Sequence, residues 1–252
     1  MSALAPIAVL VGTRRIGREI ALQLARSGVG VGVIYRASGA EAADLVTTVQ
    51  TLGVPAVAVQ STLDSDVAVE RAFQGIEDTI GPMGSLVNLA ADYERTPWAT
   101  LDAAAWDRGM VAARTCYLLA LHAARRMARN SGPTRGRIVL FGDWASGETP
   151  YRDYLPYLTG KAAVHFLTRG LAVELAREGI LVNAIAPGPT VRPPDIPEDV
   201  WNETVVARTP LRRQSSINDI VELTMALLQS ETITGEVIRV DSGRHLAPSG
   251  LD

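Results

Sequence analysis

The sequence predicts a single α/β domain built on a doubly wound parallel sheet of about seven strands, with helices on both faces. Short apolar runs of strand length alternate with segments of helical periodicity along nearly the whole chain. The 252 residues, 47% hydrophobic and 20% charged, are enough for one full core and do not force a second, so one domain over 1–252 is expected. No linker, repeat or low-complexity tract interrupts the pattern.

Each element has its own signal. Ile7–Val11 is the first strand. A helix follows from about Ile16 to Ser27, with Ile20, Leu22, Leu24 and Ala25 facing inward, Arg18, Glu19 and Arg26 outward, and Gly28 and Gly30 stopping it. Val31–Tyr35 is the second strand. Helix Ala40–Leu52 with strand Ala56–Gln60, then helix Asp64–Ile80 with strand Leu86–Ala90, repeat the unit through right-handed crossovers. A longer helix from about Ala103 to Arg129 leads to strand Arg137–Phe141, and helix Tyr154–Arg177 leads to strand Leu181–Ile185. Last come a proline-rich loop, Pro187–Pro197, a helix opened by Ser216 with Asp219 as its capping box, and strand Val237–Val240.

Composition excludes several function classes. A net charge of −3 opposes a surface that neutralises many phosphates, so no nucleic-acid partner is expected. The apolar run from Leu4 to Gly12 precedes Arg14 and Arg15, the reverse of a secretory leader. No stretch nears the roughly 20 apolar residues of a spanning helix, so no membrane partner is expected and the cytoplasm is the expected compartment. The lone Cys116 suits a reducing environment. His122, His165 and His245 lie far apart without ligand spacing; they read as structural, and no metal site is expected. Trp98, Trp106 and Trp201 read as packing residues, and the arginines from Arg125 to Arg137 as a solvated helix end.

In a doubly wound sheet a dinucleotide's pyrophosphate sits where the first strand turns into the first helix. Here that turn is Gly12-Thr13-Arg14-Arg15-Ile16-Gly17: two glycines for close backbone approach, and two arginines beside a helix N-terminus. A free ribose hydroxyl usually meets an acidic residue at the end of the second strand, whereas this chain has Tyr35-Arg36-Ala37-Ser38. Arg36 and Ser38 suit a 2′-phosphate, which makes NADP(H) the expected cofactor.

Of the 24 basic residues, 23 are arginine and one is Lys161. It stands four residues after Tyr157, on the same face of a helix, so phenol and ammonium can meet. An ammonium about 4 Å away favours the phenolate by on the order of 4 kcal/mol at an effective dielectric of 20, enough to draw the phenol towards neutrality.

Tyr157 to Lys161 followed by Ala162-Ala163, the run Val182 to Pro189, Leu86 to Ala91, and Thr234-Gly235 to Gly243 together resemble the short-chain dehydrogenase/reductase family over essentially the whole chain. The resemblance implies a Rossmann-type fold and hydride transfer from NADPH to a carbonyl or imine-type carbon, with Tyr157 as proton donor and Lys161 also holding the nicotinamide ribose. It extends the cofactor contacts to Asn88, Ala90, Pro187, Gly188 and Thr190. It also implies a homo-oligomer, a tetramer, through the helices Ala103–Arg129 and Tyr154–Arg177, with Leu118, Leu119, Leu121, Val164, Phe166 and Val173 offered for the interface.

The chain departs from the family pattern at four places. The glycine turn is one residue short, with Arg15 at its middle glycine. Thr62 stands for an adenine-side aspartate, and Ala113 for a relay asparagine. Asp143, fourteen residues before Tyr157, occupies the stretch of the missing catalytic serine. With Tyr93 after the fourth strand, this resembles the pteridine reductase branch, whose members stack the pterin on an aromatic residue. The resemblance makes Arg15, Tyr93, Asp143, Trp144 and Pro189 the expected contacts of a small-molecule substrate, a pterin or dihydrofolate. A general ketone or ketoacyl reductase and a non-catalytic NADP-binding module are the alternative expectations.

Overall fold

The computed structural model describes residues 4–147, 149–192 and 196–247. Seven strands form one parallel sheet: β1 Ile7–Val11, β2 Gly30–Tyr35, β3 Ala56–Gln60, β4 Ser85–Asn88, β5 Gly136–Phe141, β6 Ile180–Pro187 and β7 Val237–Val240, in the order β3-β2-β1-β4-β5-β6-β7. The helices are α1 Ile16–Arg26, α2 Gly39–Thr51, α3 Asp66–Ile80, α4 Ala103–Met127, α5 Leu155–Leu175, α6 Glu198–Thr204 and α7 Ile217–Gln229.

Both faces of the sheet are covered, as the continuous apolar strands require. On one face Val9, Val11, Leu86, Ile138 and Leu140 meet Phe73 and Ile76 of α3, Leu119 and Met127 of α4 and Val164 of α5. On the other, Ala8, Leu10, Val33 and Val139 meet Ile20 and Leu24 of α1, Leu45 of α2 and Ile220 and Leu228 of α7. The chain crosses from β3 at one edge to β4 beside β1, so the strand order reverses between β1 and β4. That crevice, beyond the carboxyl ends of the strands, is where such sheets bind ligands.

The expected elements are present with shifted ends. β4 stops at Asn88 rather than Ala90, because Asn88 Oδ1 accepts from the Ala90 amide (3.1 Å) and turns the chain. α3 opens at Asp66, its N-terminus fixed by Ser65, which accepts from the Ala68 amide. The Ser216 cap of α7 forms, accepting from the Asp219 amide at 3.1 Å. α6 lacks an apolar periodicity and was not legible. Residues 193–195 of the proline-rich loop lie outside the described residues.

The arginines between Arg125 and Arg137 do not all cover a solvated end. Arg126 is buried between α3 and α4, paired with Glu70 (2.6 Å) and Glu77, and buried Arg137 donates to the Ser230 carbonyl at 2.8 Å. Each guanidinium is inside with acceptors at hand, for the terminal nitrogens of Arg126 and the Nε of Arg137, while Arg126 Nε is buried without a partner among the described residues. His122 lies in the same layer, between Asp66 (2.8 Å) and Glu70 (3.0 Å), a structural role as expected.

α4 and α5 pack backbone to backbone, and this contact places Tyr157 and Lys161. A Cβ on Gly160 would lie 2.1 Å from the Gly109 carbonyl oxygen, and one on Gly109 would lie 2.4 Å from the Pro156 backbone. Gly160→Ala is therefore expected to wedge the helices apart and destabilise the fold by about 1–3 kcal/mol. Denaturant unfolding of the variant checks this, and an unchanged midpoint would refute the close-contact assignment.

Candidate active site

Beyond the carboxyl ends of β1, β2 and β4 lies a cavity of about 380 Å³ lined by Gly12, Thr13, Arg14, Tyr35, Arg36, Ser38, Thr62 and Ala90 among others. The turn after β1 is tight enough to demand glycine. Gly12 has φ +108, and a Cβ on Gly17 would sit 2.1 Å from the Gly12 carbonyl oxygen. Arg15, at the family's middle glycine, keeps a glycine-like backbone with φ 49, a strain of order 1 kcal/mol or more, and its side chain is exposed. The turn thus preserves the backbone shape at the position where the side chain departs.

Ser38 precedes α2 without capping it. Its hydroxyl pairs with Thr13 Oγ1 at 3.0 Å, joining the loops after β1 and β2 across the cavity. Both arginines of the cavity are paired, Arg14 with Glu41 (2.5 Å) and Arg36 in a two-pronged bridge to Asp92 (2.9 and 3.1 Å). Glycine turn, paired hydroxyls and arginine fork together fit a dinucleotide carrying a 2′-phosphate. Of the other expected cofactor residues, Arg15, Ile16, Gly17, Asn88, Tyr157, Lys161, Pro187, Gly188 and Thr190 lie outside this cavity's lining.

A second cluster stands beyond β5. Asp143 is buried, and its carboxylate accepts from the Tyr157 hydroxyl at 3.0 Å, the Ala145 amide at 2.9 Å and, at 3.5 Å, the Tyr151 hydroxyl. Lys161 is buried one turn below and donates to the Phe141 carbonyl at 2.6 Å. The loop beyond β6 closes around them: the Trp144 amide donates to the Pro187 carbonyl (3.2 Å), Thr190 Oγ1 donates to the Gly188 carbonyl (2.9 Å), and the Pro189 carbonyl accepts from the Ser215 amide (2.7 Å).

The electrostatics reverse the expectation for Tyr157. The Asp143 carboxylate touches the Tyr157 hydroxyl directly at 3.0 Å, while Lys161 Nζ lies 6.0 Å from the phenol ring centroid and donates to the Phe141 carbonyl. Burial first and Asp143 second raise Tyr157 well above the ordinary phenol range. Burial also raises the Asp143 carboxyl and lowers the Lys161 ammonium. Asp143 and Tyr157 form a hydrogen-bonded pair in which both groups favour the protonated form more than they do in water.

Aromatic rings cover this pair. Tyr93 stacks on Tyr154 (centroids 4.4 Å apart, 18° between planes) and meets Tyr157 edge-on at 5.0 Å. Tyr151 lies against Trp144 at 6.0 Å, and the Arg244 guanidinium lies 5.1 Å over the same indole. Trp144 is thereby a buried support of the loop rather than an open wall. Sequence reasoning missed Tyr151 and Tyr154, although 151, 154 and 157 follow at intervals of three. It also missed Asp92, directly before Tyr93. No group of three or more metal-ligating side chains occurs among the described residues.

His165, read as structural, has a positioning role. Four residues after Lys161 on α5, its Nε2 accepts from the Asp143 amide at 3.4 Å, and a Cβ on Gly142 would collide with it at 2.1 Å. Accepting there requires the unprotonated ring, and burial, followed by the charges of Arg169 and Lys161, pushes its pKa down to about 4. Between about 6.5 and about 4 the unfolded chain holds a proton that the folded chain does not, so this histidine costs stability as pH falls through that window. His165→Gln, which keeps a side-chain acceptor, is expected to narrow the stability gap between variant and parent on going from about pH 7 to about pH 4.5 in urea unfolding. An unchanged gap would mean the ring is not held neutral.

Comparison with known proteins gives a consistent set of relatives. A family model described as enoyl-(acyl carrier protein) reductase matches residues 11–245. A short-chain type dehydrogenase/reductase of Picea abies is 30% identical over 253 residues, covering 94% of this chain and 92% of its own. A 3-oxoacyl-(acyl-carrier-protein) reductase of Staphylococcus aureus is 30% identical over 239 residues, covering 93% and 95%. Among solved structures, alternative dihydrofolate reductase 1 from Brucella canis, complexed with NADP, superposes with a TM-score of 0.88 at 30% identity over 99% of this chain and 98% of that one.

Proposed function

The chain belongs to the short-chain dehydrogenase/reductase family, and from that premise we propose that it is an NADP(H)-dependent reductase of a small carbonyl or imine-type substrate, a dihydropterin or dihydrofolate first. The observation that carries this is the hydrogen bond from Tyr157 to buried Asp143 beside the buried Lys161, at the carboxyl edge of β5. The likeness to alternative dihydrofolate reductases of two Brucella species, both bound to NADP, supports the cofactor and the substrate class. A single cysteine fits the cytoplasm as its compartment, and the whole chain acts as one domain.

NADPH supplies the hydride when bound. Gly12, Thr13, Arg14, Arg36 and Ser38 hold its adenosine half, and the residues from Asn88 to Ala90 and Pro187 to Thr190 border its other half. Tyr157 gives the proton. Asp143, buried and accepting from the Tyr157 hydroxyl, orients the phenol in place of the missing serine. Lys161 fixes the helix turn beneath and neutralises the carboxylate. Tyr93 supplies the ring face against which a planar substrate stacks.

NADPH oxidation against dihydropterin, dihydrofolate and simple ketones tests the assignment. Tyr157→Phe is expected to lose at least about 10²-fold in turnover while still binding NADPH, and Lys161→Arg to fail nearly as badly. Asp143→Ser should keep ketone reduction and lose pterin reduction. A fully active Tyr157→Phe removes the mechanism, and binding without turnover of any of these substrates favours a non-catalytic module.

The same reading makes the protein a homo-oligomer, a tetramer. Of the residues offered for the interface, Leu118, Leu119 and Val164 are core, but Phe166 and Val173 on α5 are 70% and 77% exposed, and Tyr117 on α4 is exposed as well. Such a face needs a partner surface. Sedimentation at micromolar concentration is expected to give a multiple of 26.9 kDa, and a monomer mass would contradict the assembly.

A further inference from the structure

This inference rests on the NADP(H) reading above. The segment between β4 and α4 is tied to three parts of the molecule: Asp92 to Arg36 beyond β2 (2.9 Å), Glu94 to Arg108 of α4 (3.0 Å), and Arg95 to Asp153 before α5 (2.5 Å). The Thr96 amide adds a bond to the Asp153 carbonyl at 2.5 Å. Of these ties, only the first crosses the cofactor cavity, whose lining includes both Arg36 and Asp92.

The geometry of that tie is the geometry of phosphate recognition. Asp92 presents both carboxylate oxygens to both terminal nitrogens of Arg36, the parallel fork by which guanidinium also grips phosphate. One fork cannot serve two anions. Both side chains are about three-fifths exposed, so the bridge is weak and exchangeable. The neighbouring position at the end of β2, where an acidic residue would otherwise meet a ribose hydroxyl, is Arg36 itself, so the carboxylate of this corner comes from the β4 side.

We propose that Asp92 is a positioning residue that sets the discrimination between phosphorylated and unphosphorylated adenosine cofactors through Arg36. With a free 2′-hydroxyl in the cavity, Arg36 keeps Asp92. With a 2′-phosphate, Arg36 must release Asp92, whose charge then faces a like charge, so Asp92 holds down the preference for NADP(H) that Arg36 creates. The loop survives the exchange because Glu94, Arg95 and Thr96 remain tied to α4 and Asp153.

The test is calorimetric titration of the full chain with adenosine 2′,5′-bisphosphate and with 5′-AMP, which differ only in the 2′-phosphate. Asp92→Asn is expected to tighten the bisphosphate about two- to five-fold and leave 5′-AMP unchanged, the range for losing one exposed ion pair. Asp92→Glu should restore the parent ratio, and Asp92→Asn should have no effect in an Arg36→Gln background. If the asparagine variant does not fold, Asp92→Ser replaces it. The proposal is overturned if both ligands shift by the same factor, if neither shifts, or if the effect persists without Arg36. A parent chain that binds both ligands equally overturns the NADP(H) reading itself and this inference with it, an outcome distinct from discrimination that ignores Asp92.

Discussion

A buried carboxyl group organises this protein's candidate active site. Asp143 is 8% exposed at the end of a central strand, and an acid so placed must either find donors or hold its proton. The chain answers with both. The Ala145 amide donates to one oxygen and the Tyr157 hydroxyl of α5 to the other. The backbone of Asp143 is held in turn by His165, which fits only because residue 142 is glycine and which works only while neutral.

The same acid decides the electrostatics. A family member with serine in this stretch leaves the lysine as the dominant charge near the tyrosine. Here the carboxylate is hydrogen-bonded to the phenol and the ammonium to the Phe141 carbonyl, and burial with Asp143 raises the phenol. A phenol of that kind is a weaker acid than a free one, and Asp143 is the only group hydrogen-bonded to its hydroxyl among the described residues. Under the proposed function, a weaker acid at this place favours substrates whose acceptor atom is more basic than a ketone oxygen, such as a ring nitrogen.

The sequence made the sheet legible because strands buried on both faces are continuous apolar runs and the helices between them keep a 3.6-residue period. It made Gly12, Arg36, Tyr157 and Lys161 candidates because the roles expected of them depend on position along the chain. What stayed hidden depends on partners from elsewhere. Arg126 reads as a surface residue until Glu70 and Glu77 are brought from α3, and Asp92 reads as an ordinary loop acid until Arg36 arrives from β2. Tyr157 and Lys161 both lie on α5, as their spacing suggests, but the Phe141 carbonyl that takes the ammonium's hydrogen bond comes from β5 and could not be read from that spacing.

That carbonyl also accounts for the single lysine in an arginine-rich chain. The end of β5 offers the buried cation one oxygen at 2.6 Å, near the buried Cys116 of α4. A guanidinium carries five N–H donors and stays charged, so most of its donors would be stranded and its desolvation uncompensated. An ammonium is smaller, and burial lowers its pKa, which eases the cost of keeping it inside. A drift towards arginine elsewhere on the surface is neutral because water satisfies either head group. Lys161 is buried, so bulk water does not make the two equivalent there, and the exception in the composition follows the burial of that one nitrogen.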